Sequence, residues 1–409
     1  MITPLSDTAL RDADLFSDET LADPYPLFAA LRDIGPVVYL PRHDLYAVVR
    51  HAAVREAVND PERFSSDHGI ALNSTANDQI LLDAVLASDG ATHARLRRVL
   101  SAQLAPRAIA QLRASILEHA GELADRVVAA ETFDAMHDLA VPFVTGVVTE
   151  LMGLPSEGNS RLAGWADATF NIFGPDNERT RASLPHSHAM MQYLSQAAHR
   201  DQVRPGSWLH AIYQAADAGK IAESECLPLM TAYTVASIDT TIQAITNALR
   251  LLARHPQQWR DLREDPASLA PAAFRETLRY EAPIQALGRR ITRDTELRGV
   301  PLPAGRQLWL LYGAAGRDRL QWGTDADRFD IHRPGTEQQL SLGDGPHLVA
   351  GNHLAAMEAT AMLTMLAERA PHLALDTAAP PARRRLNNVL RGWTTMPLSV
   401  SHEPPPAAS

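Results

Sequence analysis

Three stretches carry residues whose types and spacing suit chemistry better than plain packing. Ala236-Ser237-Ile238-Asp239-Thr240-Thr241 lies in the middle of a long apolar run. A carboxylate there is costly unless paired, and Asp and Thr have only modest helix propensity. One reading buries Asp239 and so requires a partner for its carboxylate. The other has a threonine hydroxyl bonding back to a helix carbonyl and the aspartate facing solvent. His93 and Arg97 stand four apart and share a helical face, as an anion-binding pair or as a solvated basic surface. Ser341 to Glu358 reads as a loop running into a helix. Gly343 and Gly345 permit a tight turn, Pro346 stiffens it, and Gly351 leaves room for something large and flat against the backbone.

The elements that must position these groups follow from periodicity and punctuation. Asp23-Pro24-Tyr25-Pro26 opens a helix through Leu31. Val37 to Tyr39 and Tyr46 to Val49 alternate and predict a hairpin, followed by a helix from Ala52 to Val58 that Asn59-Asp60-Pro61 breaks. Asp89 starts a capped helix carrying His93 and Arg97. Residues 105 to 200 read as helices, one of them ended by Phe170-Asn171-Ile172-Phe173-Gly174-Pro175; its aromatics line a pocket or fill core equally well. Leu227 to Arg254 predicts a long apolar helix. Glu276 and Arg279 are three apart on one face, and residues 280 to 310 alternate in the manner of strands.

The loop Ser341 to Glu358 resembles the haem-ligand loop of the cytochrome P-450 superfamily, whose pattern is F-G-x-G-x-H-x-C-x-G-x-x-L-A-x-x-E. Gly343, Gly345, His347, Gly351, Leu354, Ala355 and Glu358 fall in register, while Leu342 stands for the Phe and Val349 for the Cys. Other stretches resemble the family in the same order: the run Pro61 to Ser66, His93 with Arg97, the acid–threonine pair, Glu276 with Arg279, and the terminal segment Arg383 to Val400. The resemblance implies a single domain over residues 1–409, mainly α with a smaller β-rich part, with 1–20 and 401–409 flexible. It implies haem b as cofactor, its propionates held by His93, Arg97, Arg289 and His347, with Gly351 against the macrocycle. It makes Glu276, Arg279 and Arg333 a structural ion cluster. It makes Asp239 and Thr240 the proton-handling pair, with Ser237 replacing the usual Gly.

The axial ligand in that family is the cysteine, whose thiolate favours O–O cleavage. Val349 cannot ligate iron, and no other metal ligand is assigned. His347 belongs to the propionate, His353 lies one turn beyond the ligand position, and Cys226 starts the long helix, so water or no ligand is expected instead. Leu342, Pro346 and Ser237 also depart from the pattern, as in natural divergence rather than one designed replacement.

Composition sets the remaining bounds. A net charge of −10 and a pI near 5.9 argue against nucleic acid as a partner. With one cysteine there is no disulfide framework within the chain. No signal-peptide pattern or run of about 20 apolar residues is present. A cytoplasmic monomer without a membrane partner is expected. The expected ligand is a small organic substrate of bacterial secondary metabolism, with a ferredoxin-type redox partner only if redox chemistry is retained. Three functions compete: a redox-neutral step such as cyclisation, isomerisation or dehydration; a monooxygenase or peroxygenase with water or His as axial ligand; and a non-catalytic small-molecule or haem-binding protein.

Overall fold

Cys226–Ala253 forms one uninterrupted helix because its apolar residues run all round it, as in a helix buried on every side. Leu229, Ile238, Ile242, Ile245, Ala248, Leu249 and Leu252 are each 1 % exposed or less. Each such Leu or Ile contributes about 1.5–3 kcal/mol relative to an exposed one. The computed structural model describes residues 13–81, 84–155 and 159–401. The helices that build the site are α1 (Gly90–Gln103), α2 (Arg113–Ala130), α3 (Asn159–Asn171), α4 (Cys226–Ala253), α5 (Pro266–Tyr280) and α6 (Asn352–Arg369). Helix α4 packs against α3, α5 and α6, and α6 packs against α2 and α5.

The main sheet has strands β1 (Val37–Leu40), β2 (Leu45–Val48), β3 (Phe64–Ser65), β4 (Ala286–Ile291) and β5 (Gln307–Leu311), in the spatial order β1-β2-β5-β4-β3. Only β2 and β5 run parallel, with Val48 beside Leu310. A separate small core of Val37, Val54, Phe64, Ile291 and Leu310 sits under this sheet. A second sheet joins Pro397–Ser401 to Thr132–Asp134 and His372–Leu375, bringing the C-terminal segment back across the molecule. The fold is mainly helical with a smaller strand part.

The expected hairpin, the helix before Asn59 and the long helix all form, with bounds shifted by a residue or so. The first helix runs three residues past Leu31, to Ile34. Residues 13–20 and 401 of the ends expected to be flexible have defined places in the fold. Residues 1–12 and 402–409 lie outside the described residues, but Leu15 and Phe16 are buried and Ser17 caps a helix over Asp18–Ala22. Ser401 belongs to a strand.

Candidate active site

The site is an interior cavity of about 260 Å³ between α4 and the loop leading into α6. From α4 come Ala236, Ser237, Thr240 and Ala244, and from the loop and α6 come Leu342, Gly343, Val349, Gly351 and Leu354. Phe170 and Phe173 also face the cavity while belonging to the main hydrophobic core, so the two readings of these aromatics hold together.

The loop is shaped by its glycines. Gly343 and Gly345 have φ of 75° and 65°, the left-handed region that side chains disfavour. Asp344 accepts from Gly345 N at 2.8 Å and pairs with Arg55 at 3.0 Å, fixing the turn. Gly351 begins α6 at φ −83°, so its glycine is not required by backbone strain. A Cβ there would meet nothing within 4 Å, so it would project into the cavity.

Four cationic or basic side chains line one part of the cavity: His93, Arg97, Arg289 and His347. His93 and Arg97 come from α1, Arg289 from β4. His93 and Arg289 are buried, so the solvated-surface alternative for His93 does not hold. The His93 and His347 rings lie 4.2 Å apart. Burial, then His347 and Arg97, lower the His93 pKa to about 4. Arg97 donates to Leu348 O, and Arg289 donates to Gly288 O at 2.6 Å. His347 Nε2 meets Asp89 Oδ1 at 3.0 Å and Ser66 Oγ at 3.3 Å. Burial lowers the His347 pKa while Asp89 opposes it. Asp89 occupies the N-cap position of α1 but does not cap it. Its carboxylate instead accepts from Ser65 Oγ, Ser66 N and Asp67 N. Burial would raise its pKa, but these bonds and His347 outweigh burial and bring it down.

The acid–threonine pair is split. Thr240 lines the cavity and its Oγ1 donates to Ala236 O at 2.7 Å, the back-bond of the bland alternative. Asp239 does not face solvent as that alternative had it. It is fully buried and turned away from the cavity lining. Its two oxygens accept from Arg385 Nη1 at 3.2 and 3.3 Å, and Gln243 Nε2 donates to Oδ1 at 3.3 Å. The same Arg385 nitrogen lies 3.1 Å from Asp167 on α3. One guanidinium thus serves two carboxylates; burial raises the Asp239 pKa and Arg385 only partly offsets it.

The expected ion cluster is assembled away from the cavity lining. Arg279 grips Glu276 through two bonds of 2.6 and 2.7 Å, both side chains fully buried. Arg333 reaches Glu276 only at 3.5 Å and is held more closely by Asp325 at 3.0 Å.

Three groups in or beside the site went unrecognised in the sequence. Arg385 and Asp167 had no local signal. Tyr312 follows strand β5 as the first residue of a short helix over Tyr312–Ala315, and Arg289, by its charge and a hydrogen bond, opposes the rise that burial gives the Tyr312 pKa. Cys226 is buried outside the cavity lining, its Sγ 3.9 Å from Ala222 O, and burial pushes its thiol up to about 11. His353 is exposed. Among the described residues, no three His, Cys, Asp or Glu gather to hold a metal ion.

A flat cavity wall at Gly351 and a basic cluster set in apolar surroundings fit a macrocycle bearing carboxylates. The chain belongs to the cytochrome P450 family. A sequence model of that family, Cytochrome P450, matches residues 188–369. The chain is 35% identical over 391 residues to cytochrome P450 CYP199A2 of Rhodopseudomonas palustris, spanning 95% of this chain and 93% of that one. It is 31% identical to the cytochrome P450 monooxygenase PikC of Streptomyces venezuelae, over 95% of this chain and 93% of that one. Among solved structures, cytochrome P450 CREJ in complex with (4-ethylphenyl) dihydrogen phosphate aligns with a TM-score of 0.86 at 26% identity, over 96% of this chain and all of that one (100%). A mutant of P450 EryK in complex with erythromycin B aligns at 0.83 and 29% identity, over 95% and 99% of the two chains. Membership implies haem binding. No helix among the described residues is long and apolar enough to cross a membrane.

Proposed function

We propose that this P450 binds haem b without a thiolate ligand and carries out a redox-neutral step, a cyclisation, isomerisation or dehydration, on a small apolar organic molecule. The observation that carries the proposal is the lining of the cavity: Val349 faces it from the loop, and the chain's one cysteine does not. His93, Arg97, Arg289 and His347 would hold the two propionates through charge-assisted bonds, each contributing roughly 1.5–3 kcal/mol. When bound, haem supplies a flat apolar face and a Lewis-acidic iron. Thr240 presents its hydroxyl oxygen to the cavity and orients a substrate donor. Asp239 sits behind it as a buried group that can hold a proton near neutrality, reaching the cavity only when it leaves Arg385. Ile70, Val85, Leu86, Phe170 and Phe173 exclude water and select apolar substrates.

A monooxygenase or peroxygenase with water as axial ligand is the second reading. A histidine ligand is disfavoured, because His347 is tied to Asp89 and Ser66 and His353 is exposed. A binding protein gains support from Asp239 being held off the cavity. Protein from haem-supplied cells, shown by its Soret band to hold haem, is incubated with small apolar substrates with and without reductant or peroxide. Conversion without either, at constant substrate oxidation level, is the expected result. Conversion only with them returns the second reading, and no Soret band removes haem from the account.

A further inference from the structure

Glu281, the residue after α5, is buried, and four arginines from separate segments converge on its carboxylate. Arg391 Nε lies 2.8 Å and Arg384 Nη1 3.1 Å from Oε1, and Arg317 Nη2 lies 3.4 Å from Oε2. Arg250, in the last turn of α4, acts on Glu281 by charge without touching it. Burial would raise the Glu281 pKa, but the arginines outweigh it and hold it at about 2. The exposed Asp23 adds a weaker attraction to Arg391, while Arg254 sets a further positive charge near Arg250.

Two of the four arginines have their donors in use. Arg391 also donates to Leu21 O and Ala22 O, and Arg317 to Tyr280 O. The other two keep donors to spare. Among the described residues, Arg250 has no hydrogen-bond acceptor or ion-pair partner in the protein. Of the Arg384 nitrogens only Nη1 has one. Both side chains are partly exposed. Both also lie over the Trp393 ring, their guanidinium carbons 3.5 Å (Arg384) and 4.5 Å (Arg250) from its centroid. The two groups are thus no further apart than those distances together, a span that one phosphate can bridge. The C-terminus of α4 offsets the excess by only about half an elementary charge. The aromatic face of Trp393 carries no net charge. A counter-anion is what this cluster lacks.

We propose that Arg250 and Arg384 form a binding site for a tetrahedral oxyanion, a phosphate group, at the surface beside Trp393. Guanidinium forks match phosphate oxygens two at a time, and a dianion supplies the missing charge. None of these arginines lines the cavity, so the site stands apart from the haem reading.

The test is calorimetric titration of the full chain with inorganic phosphate in a chloride-free zwitterionic buffer at pH 7. One saturable site is expected. Arg250→Gln and Arg384→Gln should each weaken it at least tenfold, and Arg97→Gln, in the basic cluster of the cavity, should leave it in place. Glycerol phosphate separates the sources of the group. Equal binding assigns the site to phosphate monoesters and weaker binding to free phosphate, and both support the proposal. Denaturant titration gives a second readout. Arg250→Gln breaks no ion pair, so without phosphate it should be at least as stable as the wild type. Phosphate should then stabilise the wild type and leave the variant unmoved. Absence of saturable binding, a loss that follows Arg97 instead, or equal stabilisation of wild type and Arg250→Gln by phosphate overturns the proposal.

Discussion

Asp239 and Arg385 lie 146 residues apart and meet through both carboxylate oxygens, at 3.2 and 3.3 Å, with the aspartate fully buried. The contact ties the middle of α4 to the C-terminal segment. Through Asp167 it reaches α3, whose Phe170 faces the cavity. Asp239 of α4 and Asp167 of α3 therefore share one cation.

Removing that cation leaves two carboxylates uncompensated. Arg385→Met is expected to cost about 3–5 kcal/mol at pH 7, as for other broken buried pairs. Asp239→Asn in the same chain should restore most of the loss. Because the folded pKa of Asp239 is raised, its contribution is present below the ordinary carboxylate value and lost as the pH rises through the folded one. Arg385→Met should thus be less destabilised at pH 5 than at pH 7. Denaturant titrations of the three proteins check this; equal losses at both pH values would refute the shared-cation account.

The basic cluster gives the opposite sign. His93 has its pKa lowered to about 4, so between its unfolded value of about 6.5 and that point the unfolded chain takes up a proton the folded chain refuses. The His93 contribution to haem-free stability should fall as the pH drops through this window, and His347 adds in the same direction. Asp89, with its pKa lowered, also loses its contribution on acidification, below about pH 4. His93→Gln should flatten part of the decline above pH 4. Propionate binding should flatten it too, by giving His93 a counter-charge. Because Asp239 acts with the opposite sign in this window, the comparison is with His93→Gln: a variant whose stability changes between pH 7 and pH 5 just as the wild type's does would contradict this assignment.

Gly351→Leu separates space from backbone. The φ of −83° suits any residue and the Cβ direction is open, so stability should change by less than about 1 kcal/mol. Haem uptake, read by Soret absorption, should be largely lost. Normal uptake would show that the macrocycle lies elsewhere.

Glu276→Ala should be the most damaging substitution in the ion cluster, costing roughly 3–5 kcal/mol by leaving Arg279 buried without its carboxylate. Arg333→Ala should cost less, because it meets Glu276 only at 3.5 Å and its closer partner, Asp325, is exposed. Chemical denaturation ranks the two, and the reverse order would refute the geometry.

Local pattern revealed much of this molecule. Alternation located β1 and β2, and the apolar run of α4 showed where a buried helix lies. The spacing of Glu276 and Arg279 placed their pair on one face. Long-range partners stayed hidden. Nothing near Asp239 points to Arg385, nothing near Asp89 points to His347, 258 residues on, and Asp325 shares Arg333 only because the chain folds back. Asp89 reads as a helix cap because the sequence shows a turn, but not the Ser65–Ser66 backbone that claims its carboxylate.

The central claim concerns position 349. Haem-loaded wild type and Val349→Cys are reduced under carbon monoxide and their absorption spectra compared. Wild type is expected to lack the red-shifted Soret band of thiolate ligation, and Val349→Cys to acquire it, because only the variant places a sulfur in the loop. A thiolate-type band in the wild type, or its failure to appear in a haem-loaded Val349→Cys protein, would contradict the claim.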